Sequence, residues 1–586
     1  MKSVILNSGR LLAPMTMLMW LAATATAAVP GISGTAFNLT AQPAFLNQPD
    51  GQQIYSWGYG CSSTTGNTFV PAAINGANCP TMQVPGPTLV VTEGQSITVT
   101  LTNNLPAAAG NTSILFPGFA VTATGGVAGL LTNEAAPGSS VTYTFTASAP
   151  GTHAYYSGTQ GDLQIEMGLY GAIVVLPSSV PANCTTGYHA GNLTAKTHWG
   201  ETDFRLANAT GGKGAAYDHP GTCYDREYLF QWAEMDARIH LQALAQVTAL
   251  TGCTAGTAGC SLNVQTEPYH PAYFLINGRS MPDLMDPNFA GEYPHQPYNG
   301  NPHMHPGELT LIRTIGQGRW QHPFHEHANH VRILARDGNL ILSGSTTPIS
   351  YSTPGGTAVS GQGLAGTLMF NTDTTPGESF DGIFYFTGRG LNWDPYGHHP
   401  GDTADPLASL PCTPDVNGYN TGYDASGNSL STLTAIQQSI NFFEWCQDHN
   451  KPIQANPFGD VAAGGPATLP DPNAFTNGAW YGGSPYLGPD ATLRGNAPAC
   501  VGSPYGTPNP TTPSGGPGTL TPPVNTANCT NLNPANLQLN PANERGWAFM
   551  WHSHNEREIT TNNVFPGGML MMMLVDSREF VIDEKL

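Results

Sequence analysis

The sequence predicts an all-β protein of two tandem β-sandwich domains, the second carrying a long loop-rich insertion. Three observations carry this expectation. Charged residues make up only 10% of the 586 residues, while Gly and Pro number 69 and 50. Little charge and many turns suit sandwiches better than helical bundles. Apolar and polar residues alternate in short runs, the period of a half-buried strand. A chain of this length also exceeds what one hydrophobic core holds, so more than one domain is expected.

Taken in order, residues 1–27 read as a signal peptide. Lys2 and Arg10 give a basic start, Leu11 to Ala23 an apolar stretch, and Ala25-Thr26-Ala27 a small-residue cleavage pattern. The apolar stretch is short for a membrane span and Pro14 interrupts it. The mature chain is therefore expected outside the cytoplasm, periplasmic or secreted, with no membrane insertion after cleavage. Residues 28–180 form the first domain. Thr88 to Asn103 alternates through Leu89, Val91, Ile97, Val99 and Leu101 around a Glu93-Gly94 turn, Ser140 to Phe145 alternates again, and Ala172 to Leu176 is a closing strand. A linker, 181–225, holds Cys184 and Cys223. The second domain, 226–586, opens with a strand over Glu227 to Trp232 and a helix over Ala233 to Leu250. Its further strands are Tyr273 to Ile276, ending in the Asn277-Gly278 turn, then Leu309 to Ile315, His325 to Ala335, Phe380 to Phe386, Trp547 to His552 and Met569 to Val575. The insertion at about 391–544 is rich in Pro, Gly and Asn, with one helix-like piece through Leu433, Ile436, Ile440 and Phe443.

All ten cysteines follow the leader, and an even number in an exported chain favours disulfides. Pairing between neighbours would close short loops, Cys253 with Cys260 for example, and Cys412–Cys446 and Cys500–Cys529 would order the insertion. Net charge is −20, and removing Lys2 and Arg10 with the leader leaves −22. Such a surface repels nucleic acid and anionic membranes and favours cations. The sequence shows no P-loop, no G-x-G-x-x-G after a predicted strand, no G-x-S-x-G elbow and no H-E-x-x-H.

The histidines are concentrated. Of 18, six fall at His322, His325, His327, His330, His552 and His554. Residues i and i+2 of a strand share a face, so His325 pairs with His327 and His552 with His554. If the two strands lie near one another, four imidazoles converge, a donor set that suits copper, zinc, iron or nickel rather than magnesium or calcium. Continuing the second strand would put Glu556 and Glu558 on the same face, as ligands or as partners that orient an imidazole. His322 and His330 break that register. His303 and His305 precede Pro306 and read as loop histidines, His398-His399 point apart, and His153, His198 and His240 are isolated.

These motifs resemble the multicopper oxidases. Val84-Pro85-Gly86-Pro87-Thr88 to Asn103 resembles the opening strand of that family's first domain, and Gly151 to Ser157 with Gly168-Leu169-Tyr170-Gly171 resembles its end. His322-Pro323-Phe324-His325-Glu326-His327 matches the family's H-P-x-H-x-H motif. Trp551-His552-Ser553-His554 matches the strand that normally reads H-C-H. The resemblance implies cupredoxin-like Greek-key sandwiches and copper, with another transition metal as the alternative. It also marks departures. Leu115-Phe116-Pro117 and Tyr156-Ser157-Gly158 stand where first-domain copper histidines belong. Ser553 replaces the blue-copper cysteine, and Glu558 replaces a later blue-site histidine. A hydroxyl cannot stand in for the thiolate of a blue site.

The candidate metal residues are therefore His322, His325, His327, His552, His554 and Glu558. His322, Glu558 and Met569 together form a candidate second, cysteine-free site, although Met569 begins an apolar run more simply read as a buried strand. The function expected is that of an exported oxidoreductase, copper-dependent, acting on a small reductant or metal ion. The alternative is a non-catalytic copper protein for tolerance or storage. The resemblance also allows a homotrimer in which a neighbouring copy completes the site.

Overall fold

The computed structural model describes residues 29–63, 66–71, 82–185, 204–207, 214–305, 308–351, 359–386 and 544–576, with short pieces at 413–415, 424–426, 428, 446, 483–487 and 582. The leader at 1–27, most of the 391–544 insertion with its helix-like piece, His198 and His398-His399 lie outside the described residues.

The all-β class is borne out. Two five-stranded sheets face each other first. One runs Gly151–Tyr156, Tyr170–Leu176, Leu89–Thr92, Gly31–Ser33 and Thr68–Val70. The other runs Gln53–Ser63, Ala36–Asn47, Ser96–Asn103, Ser140–Thr146 and Thr122–Gly125. Alternation sets the facing: in Ser96–Asn103 every second residue is buried, so Ile97, Val99 and Leu101 enter the core with Trp57, Tyr59, Tyr143 and Tyr155. Gly94 takes φ +82° at the turn before this strand, where a side chain would strain the backbone.

The second pair of sheets has seven and six strands. The larger places Arg226–Met235 between Tyr273–Ile276 and Thr310–Gly316, then continues through Ser379–Phe384 and Val331–Arg336. The smaller orders His303–Met304, Leu570–Asp576, Glu544–Ser553, His322–Glu326 and Asn371–Thr374, with Gly483–Leu487 also pairing with Glu544–Ser553. Trp232, Phe324, Phe384, Trp551 and Met571 fill the core between them. Asn277 and Gly278 both take positive φ at their hairpin, the conformation an Asn-Gly turn favours.

Three sequence expectations shift. The first strand of the second domain runs to Met235, and the helix is Ala237–Ala249, capped by the Asp236 side chain accepting from the Arg238 N–H. The span from His325 to Ala335 is two strands, His322–Glu326 and Val331–Arg336, broken where Ala328 takes φ +86°. His303 lies on a short strand, and both it and His305 are buried.

The two sandwiches pack on each other. Val90, Ala172 and Val174 meet Leu229 and Ile315. Beside this apolar contact, Arg313 pairs with Glu227 at 2.7 Å and Asp381 at 3.5 Å, and Asp381 accepts from the Thr152 hydroxyl of the other sandwich. Disulfides join Cys184 to Cys223 and Cys253 to Cys260, and Cys61 and Cys446 are also disulfide-bonded. Among the described residues no helix is long and apolar enough to cross a membrane.

Candidate metal centre

His322–Glu326 and Glu544–Ser553 are antiparallel neighbours, with His325 opposite His552, Phe324 opposite Ser553 and Glu326 opposite Trp551. The alternation of side chains along a strand then divides these residues between two faces. His322, Phe324, Glu326, Trp551 and Ser553 turn inward and are fully buried. His325 and His552 turn the other way, and His327 and His554 follow them just beyond the strand ends.

On that outer side the rings gather. His325 lies 4.7 Å from His327, 5.3 Å from His552 and 4.9 Å from His554, centroid to centroid. One ring nitrogen each of His325, His327 and His552 falls within a common span of 4.8 Å. His325 Nδ1 is 2.6 Å from the Phe370 carbonyl, and His552 Nδ1 is 2.7 Å from the Ser553 carbonyl. A carbonyl oxygen only accepts, so both Nδ1 atoms carry the proton and both Nε2 atoms are left with a lone pair. His552 Nε2 faces His327 Nε2 at 3.3 Å. The His327 backbone is held by the Trp551 indole N–H, which donates to its carbonyl at 3.0 Å. Burial and then the neighbouring His327 push the His325 imidazole down to about 4. Burial, with a smaller push from His554, also lowers His552. These imidazoles are kept neutral, the state a metal needs. His327 and His552 are partly buried and the His554 side chain is 49% exposed, so the cluster is open on one side.

The structure brings His325, His327 and His552 together, with His554 at their edge; it does not bring His322 and Glu558 to them. Glu556 and Glu558 do not continue the strand. Asn555 caps a 3-10 turn, Glu556–Ile559, with its side chain accepting from the Arg557 N–H. That turn carries Glu558 inward to full burial and leaves Glu556 82% exposed, 3.8 Å from His554. His322 Nδ1 lies 2.9 Å from Glu558 Oε2 and its Nε2 lies 2.8 Å from Glu234 Oε2. Met569 is buried in the second core, as its apolar run implied. His330 stacks edge-on with Phe370, 5.0 Å away. His240 is buried against Ser56 and Glu166, and His153 against Phe119. Glu234 and Phe370 escape sequence reasoning, because each reaches its histidine from a strand or loop distant in the chain.

The first-domain positions that lack histidine are filled. Phe116 packs on Tyr143, Phe145 and Tyr155. Leu115 and Tyr156 pair through their backbones, and the Ser157 hydroxyl donates to Gln164 Oε1 at 2.6 Å.

Residues 72–180 match the multicopper oxidase family model. Over that span the chain is similar to a multicopper oxidase domain. That family binds copper, and an all-imidazole donor set such as the outer cluster fits copper chemically. Among solved structures, the multicopper oxidase mgLAC aligns at 18% identity and TM-score 0.33, over 59% of this chain and 74% of its own. The blue copper oxidase from Nitrosomonas europaea aligns at 16% identity and TM-score 0.34, over 59% and 74%. The copper nitrite reductase from Nitrosomonas europaea aligns at 16% and 0.30, over 60% and 84%. A comparison with curated protein sequences gives no match.

Proposed function

We propose that this chain is an exported copper protein that binds the metal through Nε2 of His325, His327 and His552, with His554 as a fourth ligand from the exposed edge, and that it oxidises a small reductant or a metal ion. The observation that carries the reading is the facing of His552 Nε2 and His327 Nε2 at 3.3 Å, with the Nδ1 atoms of His325 and His552 committed to backbone carbonyls. His552 Nε2 presents a lone pair to His327 Nε2; a neutral His327 carries one ring proton, and with that proton on Nδ1 both Nε2 atoms are free to hold one cation. Copper bound there would supply one-electron oxidation, taking an electron from the reductant as Cu(II) and passing it on to an external electron acceptor. The protein's part is to fix the rings through Phe370 and Ser553, to exclude water on the buried side of His325, and to leave the His554 side open to a reductant. The acidic surface favours a cationic one. The disulfides support export to an oxidising compartment, periplasmic or extracellular.

One observation favours a second reading, a non-catalytic copper store: Ser553, in place of the thiolate, leaves no blue centre to feed electrons to the cluster. A homotrimer cannot restore the cluster through the first-domain positions either, since a neighbouring copy would bring Leu115, Phe116 and Pro117 there.

The test is metal analysis with electron paramagnetic resonance on natively expressed protein, followed by turnover with Cu(I), Fe(II), Mn(II) and phenolic reductants. The reading expects a copper signal without intense blue colour, its loss in His327→Ala and His552→Ala, and oxidation of at least one reductant. Copper without turnover selects the store. Native protein free of copper, with no uptake on reconstitution, overturns both.

A further inference from the structure

The inner face of the same strands holds an arrangement that the outer cluster does not use. His322 is fully buried, and both its ring nitrogens are engaged by carboxylates, Nδ1 by Glu558 and Nε2 by Glu234. Each of those carboxylates is itself held. The Ser553 hydroxyl donates to Glu558 Oε2 at 2.5 Å, and Asn555 Nδ2 donates to its Oε1 at 2.9 Å. Glu234 Oε1 accepts from the backbone N–H groups of Arg319 and Trp320 at 2.7 and 2.9 Å, and from the Tyr269 hydroxyl at 3.1 Å. Tyr269 also lies 2.6 Å from Oε2 of Glu166 in the first sandwich. A single phenolic proton serves both contacts. The chain of contacts therefore reaches from the strand of the histidine cluster, through Ser553, Glu558, His322, Glu234 and Tyr269, to the other sandwich.

By the match of motifs, His322, Ser553 and Glu558 stand where a multicopper oxidase holds its mononuclear blue copper. The donor set does not fit that ion. A blue centre needs a thiolate and imidazole nitrogens with free lone pairs. Here the thiolate position is a hydroxyl that donates to a carboxylate, and the imidazole has no nitrogen to spare. An imidazole with an oxygen anion at each nitrogen is satisfied when both nitrogens carry protons.

We infer that this position is closed to metal, and that a doubly protonated His322 stands between Glu558 and Glu234 in place of the copper cation. Burial alone would lower the His322 imidazole; the hydrogen bonds it donates to Glu234 and Glu558 outweigh it and lift the group to about 9. Where the outer cluster holds copper as proposed, the consequence is direct. With no relay centre behind it, a reductant must deliver its electron at the open His554 side of the cluster itself. The chain is then restricted to reductants small enough to touch His327, His552 or His554.

The deciding experiment is anomalous scattering from copper-soaked crystals of the unaltered chain, backed by Ser553→Cys and His322→Gln variants assayed for copper per chain and for visible absorption. Copper is expected at His325, His327 and His552 and absent within ligand distance of His322. His322→Gln is expected to keep the full copper content, and Ser553→Cys to gain neither a copper ion nor a blue thiolate band. Copper density at His322, a blue band in Ser553→Cys, or loss of one copper in His322→Gln overturns the inference. An empty cluster beside an empty His322 position would refute the proposed function and leave this inference standing.

Discussion

His322 makes a specific demand on stability. Its imidazole titrates at about 9 in the folded chain against an ordinary value of 6.5. At about 1.4 kcal/mol per pKa unit, that difference is worth about 3 kcal/mol. Below pH 6.5 the ring is protonated whether the chain is folded or not, and the whole contribution is present. Between about 6.5 and about 9 only the folded chain keeps the proton, so stability falls as pH rises. Above the folded value the contribution is gone. The perturbation is His322→Gln, which cannot carry the charge. The assay is the urea midpoint of metal-free protein, wild type and variant, from about pH 6 to about pH 10. Wild type is expected to lose about 3 kcal/mol more than the variant across that window. Two curves that run parallel would refute the reasoning, because the groups that do not face His322 titrate alike in both proteins and Glu234 and Glu558 differ only through the charge at stake.

Glu326 offers the opposite experiment. It is fully buried, its Oε1 accepts from Thr372 and its Oε2 has no hydrogen-bond partner among the described residues, so burial holds its carboxyl well above the usual range. Folding there costs more as pH rises above the ordinary carboxylate value, and Glu326→Gln is expected to raise the urea midpoint near neutral pH and to leave it unchanged at about pH 4; a lower midpoint at neutral pH would show that the charge is needed. Arg313→Ala strands the buried Glu227 and Asp381 carboxylates and is expected to cost about 3–5 kcal/mol, with a loss below about 1 kcal/mol counting against the ion network at the sandwich interface. Replacing Cys184 and Cys223 by Ala opens a loop of 39 residues, for which chain entropy gives a loss of about 4 kcal/mol; an unchanged urea midpoint in the variant would count against a stabilising role for this disulfide.

Much of the outer cluster was legible because it depends on the shortest-range rule of a sheet. His325-x-His327 and His552-x-His554 each declare a shared face by their spacing, and the motif order suggests that the two strands are neighbours. The helix after Met235 was legible in kind but not in start, because an apolar run through Ala233 and Met235 serves strand and helix alike until Asp236 caps the helix. Glu558 was misplaced for a comparable reason. Strand alternation was extended past Ser553, where the Asn555 side chain instead starts a 3-10 turn and reverses the facing of Glu558. The partners of His322 were beyond reach. Glu234 comes from a strand 88 residues earlier, and nothing in its neighbourhood marks it as facing a histidine. Pairing of that range is fixed by how the two sheets of the sandwich pack, which local pattern does not encode.

The alternation of the strand His322–Glu326 has a consequence for how such a protein can change. Successive residues serve separate chambers, so a substitution in one chamber leaves the backbone that presents the other unmoved. Ser553 sits between His552 and His554, yet its side chain enters the opposite compartment. A thiol there can be exchanged for a hydroxyl, and a cation for a proton, while the outer histidines keep their places. Insertion or deletion of one residue is another matter: it would turn every side chain of the strand over and empty both chambers at once. The sheet thus lets the two chambers be altered singly by point mutation, while tying both to a single register.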